Sequence, residues 1–219
     1  SKKFIFPKKC PCGFDTIKDY NETTKKFDAV RRCPDRGFEC NLMTKEKIKH
    51  YVSKNAMNIE GLGKKVVENF WELNIVKLPT DIYKLNFNKI SQLDGWGKLS
   101  AKNLENSINE TKKISLDRFI FALGIRHIGQ ENAKILASFF ISIKKFSNLF
   151  ISNKRKEILL NLSDLDGIGE TQIKSIENFF QNRKNVEVVG LLANELNIQE
   201  FAIFNKTGKF SNKNLMFTG

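Results

Sequence analysis

The sequence predicts a mainly α protein with a small four-cysteine ribbon placed ahead of its helices. Two observations carry this. All four cysteines of the 219-residue chain fall within its first 40 residues, and a glycine-bearing turn followed by a helical apolar stripe recurs four times. A hydrophobic share of 41% is enough for a real core.

Charge narrows the partner. Lys plus Arg number 37 against 24 for Asp plus Glu, a net +13, and such a surplus normally meets an anion, nucleic acid first among them. Abundant Lys, Asn, Ile and Phe also fit a base-composition bias of the source genome, so charge alone does not decide. No stretch approaches the roughly 18 apolar residues of a membrane span, and "SKKFIFPKK" has no apolar core of signal-peptide length. The chain therefore reads as cytosolic. It opens without Met and stops on "NLMFTG", which resembles an interrupted strand, so a piece of something longer is expected.

The first element is the ribbon, at about 1–41. Cys10, Cys12, Cys33 and Cys40 form two pairs around a turn-rich stretch, "DTIKDYNETTKKFDAVRR", whose end alternates through Phe27 and Ala29 as a two-stranded ribbon would. Such a pattern suits a structural zinc site; two disulfides or free thiols remain the alternatives. Cys10 and Cys12 have one residue between them, a tight chelate, and Cys33 and Cys40 have six. His50 offers an imidazole but reads as part of the helix "KEKIKHYVSK".

The second element, at about 42–196, is the repeat. With Gly61, Gly95, His127 and Gly167 as position zero, "NIEGLGKKVVENF", "QLDGWGKLSAKNL", "GIRHIGQENAKIL" and "DLDGIGETQIKSI" align without a gap. Two residues before zero stand Ile59, Leu93, Ile125 and Leu165, and one after stand Leu62, Trp96, Ile128 and Ile168. Position +2 is always glycine: Gly63, Gly97, Gly129 and Gly169. Val67, Ala101, Ala133 and Ile173 follow at +6, and Phe70, Leu104, Leu136 and Ile176 at +9. This is a turn feeding an amphipathic helix, four times over.

Glycine tolerates the backbone angles of a tight reversal between helices. The flanking apolar residues are expected to plug the turn into the helix pair, and those at +6 to sit where helices approach closely. The second helix then starts with unsatisfied N–H groups and the positive end of its dipole, which attract phosphate. Lys64 and Lys98 add mobile charge, whereas Gln130 and Glu170 occupy the same place in the other copies, so the copies are expected to contribute unequally. A single Gly-x-Gly after a helix is usually only a cap and turn. Four in register in a basic chain point instead to helix-hairpin-helix motifs, which bind duplex backbone without reading sequence. Trp96 and the Phe pairs 139/140 and 179/180 read as core, and Arg126 either reaches phosphate or covers apolar surface with its stem.

At this point the chain resembles the C-terminal half of the bacterial NAD-dependent DNA ligases. The resemblance rests on module order and on "KHYVSKNAMNIEGLGKKVV", "LPTDIYKL", "RFIFALGIRHIGQENAKILASFF", "LSDLDGIGE", "CPCG" and "NKNLMFTG". It implies that Cys10, Cys12, Cys33 and Cys40 bind zinc, and that a linker at 197–211 leads into a truncated BRCT strand at 212–219. It also implies that Gly61, Gly63, Lys64, Gly95, Gly97, Lys98, Arg126, His127, Gly129, Gly167 and Gly169 face nicked double-stranded DNA, independently of sequence. The chain departs from the family pattern at the cysteines: the first pair is one residue short and the second one longer. Position zero of the family's third copy likewise lacks glycine.

Ligases carry AMP on a lysine in Lys-x-Asp-Gly, but the Asp-Gly sites here read "QLDG" and "DLDG". No catalytic residue is therefore assigned, and NAD and magnesium would belong to the full-length enzyme, the chain alone being inactive. The resemblance further implies a monomer, cytoplasmic and nucleoid-associated, without membrane contact. The alternatives are a zinc and hairpin module of another repair or recombination protein, and a helical interaction scaffold.

Overall fold

Wherever the sequence shows an apolar stripe of helical period, the chain is helical. A computed structural model describes residues 5, 7–21, 24–34 and 37–202. The strand expected at 212–219 lies outside the described residues.

The ribbon is short. β1 (Tyr20–Asn21) pairs antiparallel with β2 (Lys26–Phe27), and isolated bridges join Lys9 to Asp15 and Ile17 to Arg32. Tyr20 lies directly opposite Phe27 with ring centroids 5.0 Å apart, an edge-on pair that contributes to so small a unit.

Helix α1 (Asn41–Tyr51) begins immediately after Cys40, its N-cap, and buries Thr44, Ile48 and Tyr51. It is followed by α2 (Lys64–Glu72), a 3-10 turn at Pro79–Lys84, α3 (Phe87–Ile90) and α4 (Lys98–Thr111). The second half runs through α5 (Leu116–Ala122), α6 (Gln130–Phe140), α7 (Ile143–Phe146), a 3-10 turn at Ser147–Phe150 and α8 (Ser152–Leu162). It closes with α9 (Glu170–Gln181) and α10 (Arg183–Glu195), the latter capped by Asn182, whose side chain accepts from the N–H groups of Lys184 and Asn185. The four turns thus lead into α2, α4, α6 and α9.

The repeat dictates what is buried. Val67, Ala101 and Ala133 at +6 and Phe70, Leu104, Leu136 and Ile176 at +9 all lie in one continuous core, and Ile173 packs against it half-buried. Fully burying a Phe or Leu side chain contributes about 1.5–3 kcal/mol, so these stripes, and not local propensity, hold the helices together. In the second half Phe140 meets Phe146 at 5.2 Å and Phe146 meets Phe180 at 5.6 Å, edge-on in both cases. Phe179 and Phe180 are core as expected, while Phe139 and Trp96 are only partly covered, Trp96 lying 5.5 Å from Phe70.

One element departs from the sequence reading. Residues 197–199, expected to be linker, form β4 (Asn197–Gln199), which runs parallel to β3 (Lys113–Ser115) with Ile114 opposite Ile198. The cause is local: Ile114 and Ile198 turn inward, the Asn197 N–H donates to the Lys112 carbonyl at 2.8 Å, and Lys112 pairs with Glu195 at 2.7 Å. Just beyond, the Phe201 N–H donates to the Ile141 carbonyl at 2.8 Å.

Ala133 is fully buried where α6 meets its neighbours, whereas Leu99 is 75% exposed. Ala133→Leu should destabilise the fold by about 1–3 kcal/mol in urea unfolding through overpacking. Leu99→Ala should change it by less than about 0.5 kcal/mol.

Candidate nucleic-acid interface

The four turns share one geometry. The N–H at +1 donates to the carbonyl at −2 in each: Leu62 to Ile59 (3.3 Å), Trp96 to Leu93 (3.0 Å), Ile128 to Ile125 (3.1 Å) and Ile168 to Leu165 (3.1 Å). Position zero is left-handed throughout, with φ of 84° at Gly61, 76° at Gly95, 61° at His127 and 86° at Gly167. Glycine reaches these angles without cost, and His is among the residues that tolerate them best after it.

The glycines at +2 need a different account. Their φ values, −69° at Gly63, −143° at Gly97, −81° at Gly129 and −96° at Gly169, are open to any residue. Each is the N-cap of its helix, accepting from the +6 N–H at 2.9–3.1 Å. A Cβ would meet nothing within 4 Å at Gly63 or Gly97, only Asn132 Oδ1 at 3.8 Å from Gly129, and only Gln172 Oε1 at 3.4 Å from Gly169. The turn requires the residue at zero to be left-handed; at +2 neither φ nor crowding among the described residues requires glycine, whose internal role is that of an N-cap.

The corners are open to solvent. Positions zero, +2 and +3 are exposed in every copy, while the apolar residues at −2 and +1 are buried or half-buried. The amides of the first helical turn therefore point outward without main-chain acceptors. The glycine amide itself is less free than expected. Ser100 Oγ accepts from Gly97 at 2.9 Å, Asn132 Oδ1 from Gly129 at 3.3 Å and Gln172 Oε1 from Gly169 at 3.2 Å. Val66 at the same place in the first copy has no acceptor to offer. A Ser, Asn or Gln three residues after the N-cap in the second, third and fourth copies was the signal for this in the sequence.

Charge distinguishes the copies as the residue types suggested. Lys64 and Lys98 are exposed and, among the described residues, have no ion-pair partner, whereas Lys45, Lys49, Lys102, Lys112, Lys134 and Lys184 are all tied to glutamates. Helices α6 and α9 instead carry Glu131 and Glu170 in their first turns, which offset their dipoles. The copies are also linked in pairs. Ser107 Oγ accepts from the Glu60 N–H at 2.7 Å, tying the first turn to α4, and Asn132 Nδ2 donates to the Gly167 carbonyl at 2.8 Å, tying the fourth turn to α6. Gly61, Gly95 and Trp96 line one shared groove.

In the third copy, Arg126 is exposed at the turn but bonds Asp19 of the ribbon, a partner absent from either reading of its sequence. Partial desolvation, then the Arg126 charge, lowers the adjacent His127 from the ordinary imidazole value. His50 stays in α1 as expected, its Nε2 within 2.8 Å of the Phe121 carbonyl.

The thiols of Cys10, Cys33 and Cys40 converge, all three sulfurs within 4.8 Å of one another. Cys12 lies outside this close group, yet its thiol acts on that of Cys40. Cys10 to Gly13 forms a knuckle, the Gly13 N–H donating to the Cys10 carbonyl at 2.8 Å with Gly13 at φ 86°. Desolvation works against it, but the Phe14 and Cys12 amides aimed at the Cys10 sulfur bring that thiol below its ordinary value. Burial, then the Cys40 and Cys10 thiols, push Cys33 up to about 12, and burial raises Cys40. Three sulfurs crowded together, one already favoured as thiolate by two amides, with a fourth thiol on the same knuckle, can hold a metal ion.

With turns and cysteines in place, comparison with known proteins is decisive. The family model described as "Helix-hairpin-helix motif" matches residues 118–189. The DNA ligase of Pelagibacter ubique (strain HTCC1062) is 58% identical over 220 residues, spanning all of this chain and 32% of that protein. The chain fits a C-terminal segment of a DNA ligase. The DNA ligase of Parvibaculum lavamentivorans is 39% identical over 86% of the chain and 28% of its own length, and that of Rickettsia bellii (strain OSU 85-389) 40% identical over 88% and 29%. The chain thus spans about a third of the length of the DNA ligases it matches. Among the described residues no helix is long and apolar enough to cross a membrane.

Two outcomes test these geometries. A Cβ at Gly95 or Gly97 would meet nothing within 4 Å, yet only Gly95 has positive φ. Gly95→Ala should cost about 1–2 kcal/mol of stability in denaturant unfolding. Gly97→Ala should change it by less than about 0.5 kcal/mol, a weaker cap offsetting a stiffer unfolded chain. Second, cobalt(II) titrated into the reduced chain should show thiolate absorption. Its affinity should fall more than tenfold per unit as pH drops below 7, because raised thiols such as Cys33 must lose protons on binding. Cys33→Ser should abolish the site, and Cys12→Ser should leave a weaker three-thiolate one.

Proposed function

We propose that this chain is the duplex-gripping portion of an NAD-dependent DNA ligase, holding nicked double-stranded DNA by its backbone while other parts of the enzyme seal it. The observation that carries this is the glycine at +2 in all four copies. Its backbone angles and the space around it leave room for a side chain, so glycine there is explained by an outside partner approaching the helix ends closely. Outward amides, helix dipoles and the unpaired Lys64 and Lys98 suit a phosphate backbone. Such contacts position a duplex without reading its bases.

In this reading Gly61, Gly63, Lys64, Gly95, Gly97 and Lys98 supply the stronger grip. Arg126, His127, Gly129, Gly167 and Gly169 extend it, weakened locally by Glu131 and Glu170. Residues 1–41 form the metal module and 42–196 the hairpin domain, to which the strand at Asn197–Gln199 adds, with a linker only beyond Phe201 and the start of a BRCT domain at 212–219. Zinc is the metal of choice for Cys10, Cys12, Cys33 and Cys40. Bonds of about 2.3 Å to a tetrahedral ion place sulfurs about 3.8 Å apart, a spacing compatible with Cys10, Cys33 and Cys40, whose sulfurs lie within 4.8 Å of one another, and Cys12 would close on them as the fourth ligand. Zinc there would hold the module's fold together. The whole enzyme would use NAD and magnesium and act as a cytoplasmic, nucleoid-associated monomer in replication and repair, with the chemistry outside this chain.

Affinity for nicked duplex, measured by fluorescence anisotropy, should fall with log salt at a slope of roughly −4 to −7, as about five to eight phosphates are neutralised. A flat response would overturn the clamp. Gly63→Val with Gly97→Val should weaken binding to nicked and intact duplex alike, and unchanged binding by the folded variant would remove both corners from the interface.

A further inference from the structure

We infer that Asp19 is a positioning residue that seats the cysteine module against the third turn and aims Arg126 at duplex phosphate; the inference rests on the DNA-binding reading above. Asp19 Oδ2 accepts a charge-assisted hydrogen bond from Arg126 Nη2, although the two residues lie 107 positions apart in sequence. The same oxygen lies 3.7 Å from Arg32 Nη1, and Arg32 is itself held by Asp28 at 2.5 Å. Paired main-chain bonds of 2.8 Å between Ile17 and Arg32 fix this segment next to Cys33. Asp19 is therefore not a mobile surface acid; it sits on the framework that presents the thiols.

Arg126 is equally particular. At the residue before position zero the other copies carry Glu60, Asp94 and Asp166, so the third turn alone has a cation there. Its side chain is 40% exposed while paired. A guanidinium has five N–H donors in a fixed fork, so an acid gripping one edge orients the rest without consuming them. With its pairing to Asp19, the fork has a fixed direction beside exposed His127 and Gly129.

The sign of one substitution separates this role from its rival. Removing a negative charge close to a polyanion should tighten binding if Asp19 merely repels DNA or competes for Arg126. If Asp19 positions Arg126, the same substitution weakens binding. Nicked-duplex affinity and its salt slope are measured for the metal-loaded 219-residue chain, with metal content determined for each variant. Asp19→Asn is expected to weaken binding about three- to fivefold, the worth of a half-exposed ion pair. The salt slope should fall by about 0.9 as one phosphate contact is lost. Arg126→Ala should do the same, the double variant should be no weaker than Arg126→Ala alone, and Asp19→Glu, which keeps the acceptor, should recover most of the affinity. Asp19→Asn binding as well as or better than wild type, additive losses in the double variant, or equal losses in Asp19→Glu and Asp19→Asn would each overturn the inference. A wild-type chain with no salt-dependent binding would instead overturn the DNA-binding reading itself.

Discussion

A single left-handed residue at each hairpin corner is the constraint from which the rest of the molecule follows. With that residue at positive φ, the turn closes on a bond from the N–H at +1 to the carbonyl at −2 in all four copies. Closing it turns residues such as Ile59 and Leu62 into the core and leaves the start of the following helix exposed. His127 shows that the requirement belongs to the backbone and not to glycine. At φ 61° a side chain costs about 1–2 kcal/mol, which the burial of Ile125 and Ile128 on either side offsets.

Much of this was legible because helical period, turn chemistry and repetition agree with one another. The stripes marked by Val67, Phe70, Ala101 and Leu104 became helices with those residues inside, and the four corners proved exposed. What stayed hidden depends on contacts distant in sequence. The strand at Asn197–Gln199 exists because Ile198 finds Ile114, and nothing in "NIQ" alone announces a partner 84 positions away. Alignment alone does not separate the glycine at +2 from the one that stands at zero in three of the four turns. The structure separates them: φ favours glycine at zero, whereas at +2 neither φ nor crowding among the described residues does.

The cysteine module was only partly readable. Spacing brought four thiols under suspicion, and three of them do converge, but spacing says nothing of how the module is held to the helices. It is held at several points. Cys40 caps α1, Lys47 Nζ donates to the Gly37 carbonyl at 2.9 Å, Gly37 packs against Asn182 at the start of α10, and Asp19 takes Arg126. The last two of these links join residues far apart in the chain, so no window of sequence contains them.

The parallel pairing of β3 with β4 has a mechanical meaning. It returns the chain, after all four copies have been laid down, to the junction between the second and the third. Whatever follows Phe201 is thus leashed at that seam instead of trailing from the last helix, and tension on it would be borne in shear by β3 and by the Phe201 to Ile141 bond before it could unwind α10.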